Sequence, residues 1–131
     1  MIFVDSDVPM YLVGADHPNK SAARAILERL IGARERLVTG AEVFQEILHR
    51  YIAIERRRAI APAWDALAGV VDEVFPLDPD DVELARDMVL GHAGMPARDA
   101  VHAAVMHRHG IQRIMSFDGG FDAITGITRI S

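Results

Sequence analysis

The residues of this chain best suited to chemistry are four carboxylates, Asp5, Glu46, Asp99 and Asp118. Asp5 closes the apolar run Ile2-Phe3-Val4, and Asp118 follows Met115-Ser116-Phe117. Glu46 falls in the second turn of a helix expected after Leu37-Val38-Thr39, and Asp99 opens the helix expected before the Asp118 strand. In open α/β sheets ligands bind beyond the carboxyl ends of the strands, so acids at such places are the first candidates for a site. Four carboxylates gathered at one sheet edge cannot all stay ionised unless a divalent cation neutralises them, and Mg²⁺ or Mn²⁺ suits an all-oxygen set. The chain has no cysteine, which excludes thiolate metal sites and disulfides. Taken singly, each acid also has a plain structural use. Asp5 could cap a helix, Glu46 could pair with Arg50 four residues on, Asp99 could complement a helix dipole, and Asp118-Gly119-Gly120 could be a turn.

The elements that must carry these acids alternate along the chain. Met1 to Val4 reads as a buried strand leading into a helix capped by Ser6 or an aspartate, with Pro9 in its first turn. A helix over about 18–32 sets Ala22, Ala25, Ile26, Arg29 and Leu30 at helical spacing, and Leu37-Val38-Thr39 follows as a strand. From Ala41 to about Arg58 the stripe Phe44, Ile47, Leu48, Tyr51, Ile52 predicts a further helix, and Pro62 marks a break before another. Val74 to Leu77, with its proline, suits an edge strand. Asp78-Pro79 opens a helix ending near Gly91 to Gly94, and Pro96 opens one ending at Gly110 whose buried face is Ala97, Ala100, Val101, Ala104 and Val105. Strands over 111–117 and 127–130 complete the pattern. Alternation of this kind predicts an α/β fold, with a mostly parallel central sheet of four to five strands flanked by helices.

At 131 residues, half of them hydrophobic and a quarter charged, the composition is that of one folded domain spanning 1–131. There is no signal-like or membrane-spanning run, so a cytoplasmic protein without membrane contact is expected. The net charge of -5 opposes nucleic-acid binding by the surface as a whole, so a phosphate partner would need local arginines or a bound cation.

Four local sequences, in order, resemble the PIN-domain family, and in particular its VapC toxin branch, over almost the entire chain. Ile2-Phe3-Val4-Asp5-Ser6-Asp7-Val8 is similar to the opening strand with its first acid. Val38-Thr39-Gly40-Ala41-Glu42-Val43-Phe44-Gln45-Glu46 is similar to the second motif, whose acid is assigned to Glu46 because Glu42 comes early in the segment. Ala97-Arg98-Asp99-Ala100-Val101-His102-Ala103-Ala104 resembles the most specific motif and places the third acid at Asp99. Ser116-Phe117-Asp118-Gly119-Gly120-Phe121 supplies the fourth at Asp118, with Asp122 a substitute. Two positions depart from the pattern: Asp7 stands where Asn is frequent, and Gly40 where Ser is frequent.

The resemblance implies a PIN-like three-layer domain that hydrolyses RNA phosphodiester bonds with Mg²⁺ or Mn²⁺, as the toxin of a type II toxin-antitoxin system. It implies Asp5 and Asp99 as principal metal ligands, Asp118 completing the site, and Glu46 orienting water or a second cation. Arg50, Arg98 and the run Arg56-Arg57-Arg58 are candidates for phosphate contact, although the run could equally be a solvated helix end. His102, three residues after Asp99 on the same helical face, is expected to be a hydrogen-bonded structural histidine, while His107 and His109 are expected at the surface. A VapB-type antitoxin crossing the acidic cleft and a homodimer are the implied partners. The rival enzyme is a haloacid-dehalogenase-like phosphatase using Asp5 with Thr39, but it needs a lysine after the threonine and the only lysine, Lys20, precedes it. A receiver domain fails on the same lysine, and a non-catalytic PIN-like module binding RNA or a partner is the third alternative.

Overall fold

All 131 residues are described by the computed structural model. Five short strands, Ile2–Val4 (β1), Leu37–Gly40 (β2), Glu73–Phe75 (β3), Arg113–Met115 (β4) and Thr128–Ile130 (β5), form one parallel sheet in the order β3-β2-β1-β4-β5. The α/β architecture expected from the alternation is therefore present, with every strand parallel. Ile2, Phe3 and Val4 are completely buried, which is why the central strand reads as continuous apolar sequence.

Six helices cover the sheet: Asp7–Val13 (α1), Pro18–Gly32 (α2), Ala41–Ala53 (α3), Ile60–Ala68 (α4), Pro79–Gly91 (α5) and Ala97–Arg108 (α6). The chain moves from β1 through β2 to β3 and then back across to β4, so right-handed crossovers place α1 to α4 on one face and α5 with α6 on the other. Packing agrees: α1 meets α2 and α4, α3 meets α4, and α5 meets α6. Ala85, Ala100 and Ala104 are the small residues that let α5 and α6 approach closely. No helix is long and apolar enough to cross a membrane.

Several expected details move. The buried face of α2 is Ala23, Ile26, Leu27 and Leu30, and Ala22, Ala25 and Arg29 lie off it. Helix α3 stops at Ala53, short of Arg58, because Glu55 turns left-handed at φ 58° and Arg56 N–H closes onto the Tyr51 carbonyl at 2.7 Å. Leu48 and Ile52 are exposed, and the inward face of α3 is Glu42, Val43, Phe44, Ile47 and Tyr51. Pro62 lies within the first turn of α4, where its missing N–H costs no hydrogen bond. Ala97 is exposed at the start of α6, and His109 is half-buried, stacked on Phe75 at 3.7 Å between centroids.

Asp81 ties the two faces of the α5 and α6 layer. Its carboxylate accepts the Asp78 N–H at 2.9 Å in a capping box, and accepts Arg108 Nε at 2.8 Å and Nη2 at 2.7 Å. Arg108 also donates to the Pro76 carbonyl at 2.9 Å. Arg108 holds the Asp81 carboxyl below the ordinary carboxylate range, outweighing burial. Its contribution is thus present above about pH 4 and is lost as pH falls through the lowered value. Asp81→Ala, which removes a cap and strands Arg108, should cost about 2 kcal/mol in urea denaturation at pH 7, and the deficit should shrink toward pH 3.

Candidate active site

The sheet changes winding direction between β1 and β4, and the carboxyl ends of those strands open into the crevice where α/β folds bind ligands. Asp5 leaves β1 there with its N–H on the Met115 carbonyl at 3.0 Å. Each oxygen of the Asp5 carboxylate accepts one hydrogen bond, Oδ1 from Ser6 N–H and Oδ2 from Ser116 Oγ, both at 2.7 Å, which orients it and leaves a lone pair on each. Thr39 Oγ1 donates to the Val4 carbonyl at 2.8 Å, strapping β2 to the end of β1. A hydroxyl so used is not a second phosphatase motif, and Lys20 donates to the Gly14 carbonyl instead.

From α3, Glu46 reaches the same place. Its Oε2 accepts the Ser6 hydroxyl at 2.7 Å, and its Oε1 lies 2.7 Å from His102 Nε2. Ser6 therefore does not cap α1, and Glu46 does not pair with Arg50. His102 is 1% exposed and sits among three carboxylates, with Nδ1 3.1 Å from Glu42 Oε1 and Nε2 3.7 Å from Asp5 Oδ1. Nε2 approaches Glu46 off the line of its N–H, so that attraction is an ion pair more than a directed hydrogen bond. Burial pulls the imidazole pKa down, but the contacts with Glu42 and Glu46 and the charge of Asp5 outweigh it and raise it to about 10. His102 is thus an internal cation. It holds Glu46 below its ordinary range against the opposing effect of burial.

Glu42, too early in its segment to be the second-motif acid, is the second partner of that cation. Its carboxylate folds back so closely over Gly40 that a Cβ at position 40 would overlap it. The departure from Ser at position 40 and the acid at position 42 are one arrangement. The signal available in the sequence was the four-residue spacing of Glu42 and Glu46, which puts both on one helical face.

Asp99 and Asp118 converge from the other side. Asp99, in the first turn of α6, is 2% exposed and its Oδ2 has no partner. Asp118 accepts the Gly120 N–H at 2.9 Å, and its own N–H is fixed by Ser116 Oγ at 3.0 Å. A Cβ at position 120 would lie 2.9 Å from Asp99 Oδ2 and 3.1 Å from Asp118 Oδ1, so a glycine is needed for these carboxylates to approach. Arg98 leans between them, 3.7 Å from Asp99 and 4.0 Å from Asp118. Burial and the neighbouring Asp118 raise the Asp99 carboxyl to about 6. Burial likewise raises Asp5, against His102 and Ser116, and burial with the Asp5 charge raises Asp7 to about 7.

The four acids singled out in the sequence do come together, and Asp7 joins them with Oδ2 on Phe117 N–H at 2.9 Å and Oδ1 unpartnered. Asp122 does not, since it pairs with Arg129 at the surface. Asp5, Asp7, Glu42, Glu46 and Asp118 line an open cleft of about 1190 Å³, with Arg50, Arg56 and Arg98 on its walls. Arg57 and Arg58 line a neighbouring groove instead. Buried oxygens without partners, beside carboxyls whose protons are held too tightly, fit a hard divalent cation bound through oxygen.

Comparison with known proteins agrees with this geometry. The PIN-domain family model matches residues 2–127. The chain is 59% identical to ribonuclease VapC13 of Mycobacterium tuberculosis over the full length of both. It is 42% identical to ribonuclease VapC23 of the same species over 118 residues, covering 90% of this chain and 93% of that one. The crystal structure of Mycobacterium tuberculosis VapC20, a sarcin-ricin-loop-cleaving toxin, superposes with a TM-score of 0.76 at 28% identity over 94% of each chain. The sheet order, the acidic cleft and this similarity over the whole chain place the protein in the PIN-domain family, among the VapC ribonucleases.

Proposed function

We propose that this chain is an endoribonuclease that uses Mg²⁺ or Mn²⁺ and acts as the toxin of a VapBC pair. The observation that carries the reading is the unpartnered, buried Oδ2 of Asp99 at the meeting point with Asp118. Asp5, Asp99 and Asp118 are the residues that would hold the cation. When bound, it supplies a positive charge for the scissile phosphate and makes water at the site more acidic. Glu46, ionised and fixed by Ser6 and His102, is placed to orient the attacking water and accept its proton. Arg98 reaches the phosphate beside Asp118, and Arg50 and Arg56 extend a cationic wall along the strand. The cleft exceeds the ~300–1,000 Å³ usual for small ligands, which suits a polymer.

As a VapC protein it takes a VapB-type antitoxin as partner. The 131 residues act as one domain, and the family habit supports a homodimer. The test is cleavage of an RNA panel by the purified protein. Cleavage should stop in EDTA and return with Mn²⁺. In parallel, saturating Mn²⁺ should raise the melting temperature of the metal-free protein by about 10 °C, since binding at 100 times Kd adds ~2.7 kcal/mol at ~4 °C each. RNA cleavage undiminished by EDTA, or no thermal shift with either cation, would refute the metal site.

A further inference from the structure

Three aromatic rings stand in one file along the wall of the acidic cleft. Phe117, one residue before Asp118, packs on the hydrophobic core. Tyr11 on α1 meets it edge-on, centroids 5.3 Å apart at 77°. His17, after α1, lies beside Tyr11 at 5.0 Å and 33°, with its ring exposed. Each ring is set by backbone structure. Phe117 N–H is held by Asp7, Tyr11 is one helical turn beyond Asp7, and His17 Nδ1 caps α2 by accepting the Asn19 N–H at 3.0 Å. None of the three takes part in the chemistry described above.

We infer that Tyr11, with His17 and Phe117, forms a stacking platform for an unpaired nucleobase of the RNA, next to the scissile phosphate. The inference rests on the ribonuclease reading and adds to it the form of substrate, a single-stranded or flipped-out nucleotide. Three observations carry it. The rings line the same cleft as Asp5, Asp7, Glu46 and Asp118, so a strand bound at those acids runs beside the rings. Tyr11 lies four residues, ~6 Å along α1, beyond Asp7, on the same side of the helix. The arginines of the cleft come from α3, the segment after it and α6, leaving the aromatic wall, from α1 and its neighbours, for the bases. Proteins read unpaired RNA in this way, with aromatic faces that accept any base and neighbouring cations that follow the backbone.

The test is steady-state cleavage by the Mn²⁺-loaded protein of a single-stranded RNA it cuts. Stacking worth ~1–3 kcal/mol per base predicts that Tyr11→Ala raises KM about 5- to 150-fold, with kcat and the Mn²⁺-induced thermal shift unchanged. Tyr11→Trp should restore KM, which a merely structural tyrosine would not allow. A substrate lacking the base beside the cleaved bond should show the same KM penalty in the wild type and no further penalty in Tyr11→Ala. Should wild-type protein cut no RNA at all, the ribonuclease reading itself fails. Cleavage by the wild type with Tyr11→Ala inside twofold of its KM overturns the platform alone. Wild-type KM combined with lost inhibition by the antitoxin also overturns it, assigning the rings to a protein partner.

Discussion

Asp99→Asn should abolish RNA cleavage while making the metal-free protein harder to melt. Loss of a principal cation ligand removes several kcal/mol of transition-state stabilisation, or about 10³-fold in rate. The stability gain follows from the raised carboxyl. Asp99 titrates at about 6 in the fold against 3.8 without it, so the folded state binds the extra proton across that window. Stability of the metal-free wild type therefore falls as pH rises from about 4 to 6, and at pH 7 the ionised Asp99 costs on the order of 2–3 kcal/mol. Asn carries no charge and can donate to its acidic neighbours. The melting temperature in EDTA should rise by about 5 °C or more, at ~4 °C per kcal/mol, and the Asp99 part of the pH slope should vanish. The residual slope belongs to Asp5, which burial also raises, and to Asp7, which titrates at about 7. Differential scanning calorimetry from pH 4 to 8, run beside the cleavage assay, checks both halves. A variant that cuts RNA normally, or that melts lower than wild type in EDTA, contradicts this account of Asp99.

His102→Leu should be the most destabilising single change in the site. The imidazolium is the common partner of Asp5, Glu42 and Glu46, and Leu leaves three largely buried carboxylates facing one another at the floor of the cleft. Removing one member of a buried ion pair costs ~3–5 kcal/mol, a large share of a typical 5–15 kcal/mol total. Because the folded pKa is about 10 against 6.5 unfolded, the wild-type contribution is complete below about pH 6.5 and disappears as pH rises through 10. The variant should behave oppositely, recovering stability on acidification as Asp5 and Glu46, without the cation that lowered them, take up protons. Adding Glu42→Gln to His102→Leu should restore part of the loss by removing one uncompensated charge. Urea titrations of the single and double variants at pH 5 and pH 8 measure these differences, and equal stability of His102→Leu and wild type at pH 8 would rule the arrangement out.

The positions of the elements were legible because punctuation is local: Asp78-Pro79, Pro96, Gly110 and the apolar runs each state a boundary within a few residues. The four acids were legible through their order and their places beside strand ends. Other features depend on contacts that no local pattern encodes. The buried face of α2 shifted because the sheet, not the periodicity alone, selects which side turns inward. The end of α3 was hidden because Glu55 takes a left-handed backbone that its side chain does not advertise. Glu42 was passed over because its partner lies 60 residues away, and Ser6 read as a cap because its actual acceptor, Glu46, is 40 residues distant.

The winding of the sheet has a consequence for the timing of activity. Asp5 and the hydroxyl that fixes it, on Ser116, are 111 residues apart, and Asp118 comes later still. Contacts of such separation close late in folding. A ribosome adding 5–20 residues per second needs roughly 6–22 s to make the 111 residues between them, and through that interval the emerging chain has no assembled carboxylate cluster. The catalytic cluster is thus completed in one step, when β4 slots in beside β1.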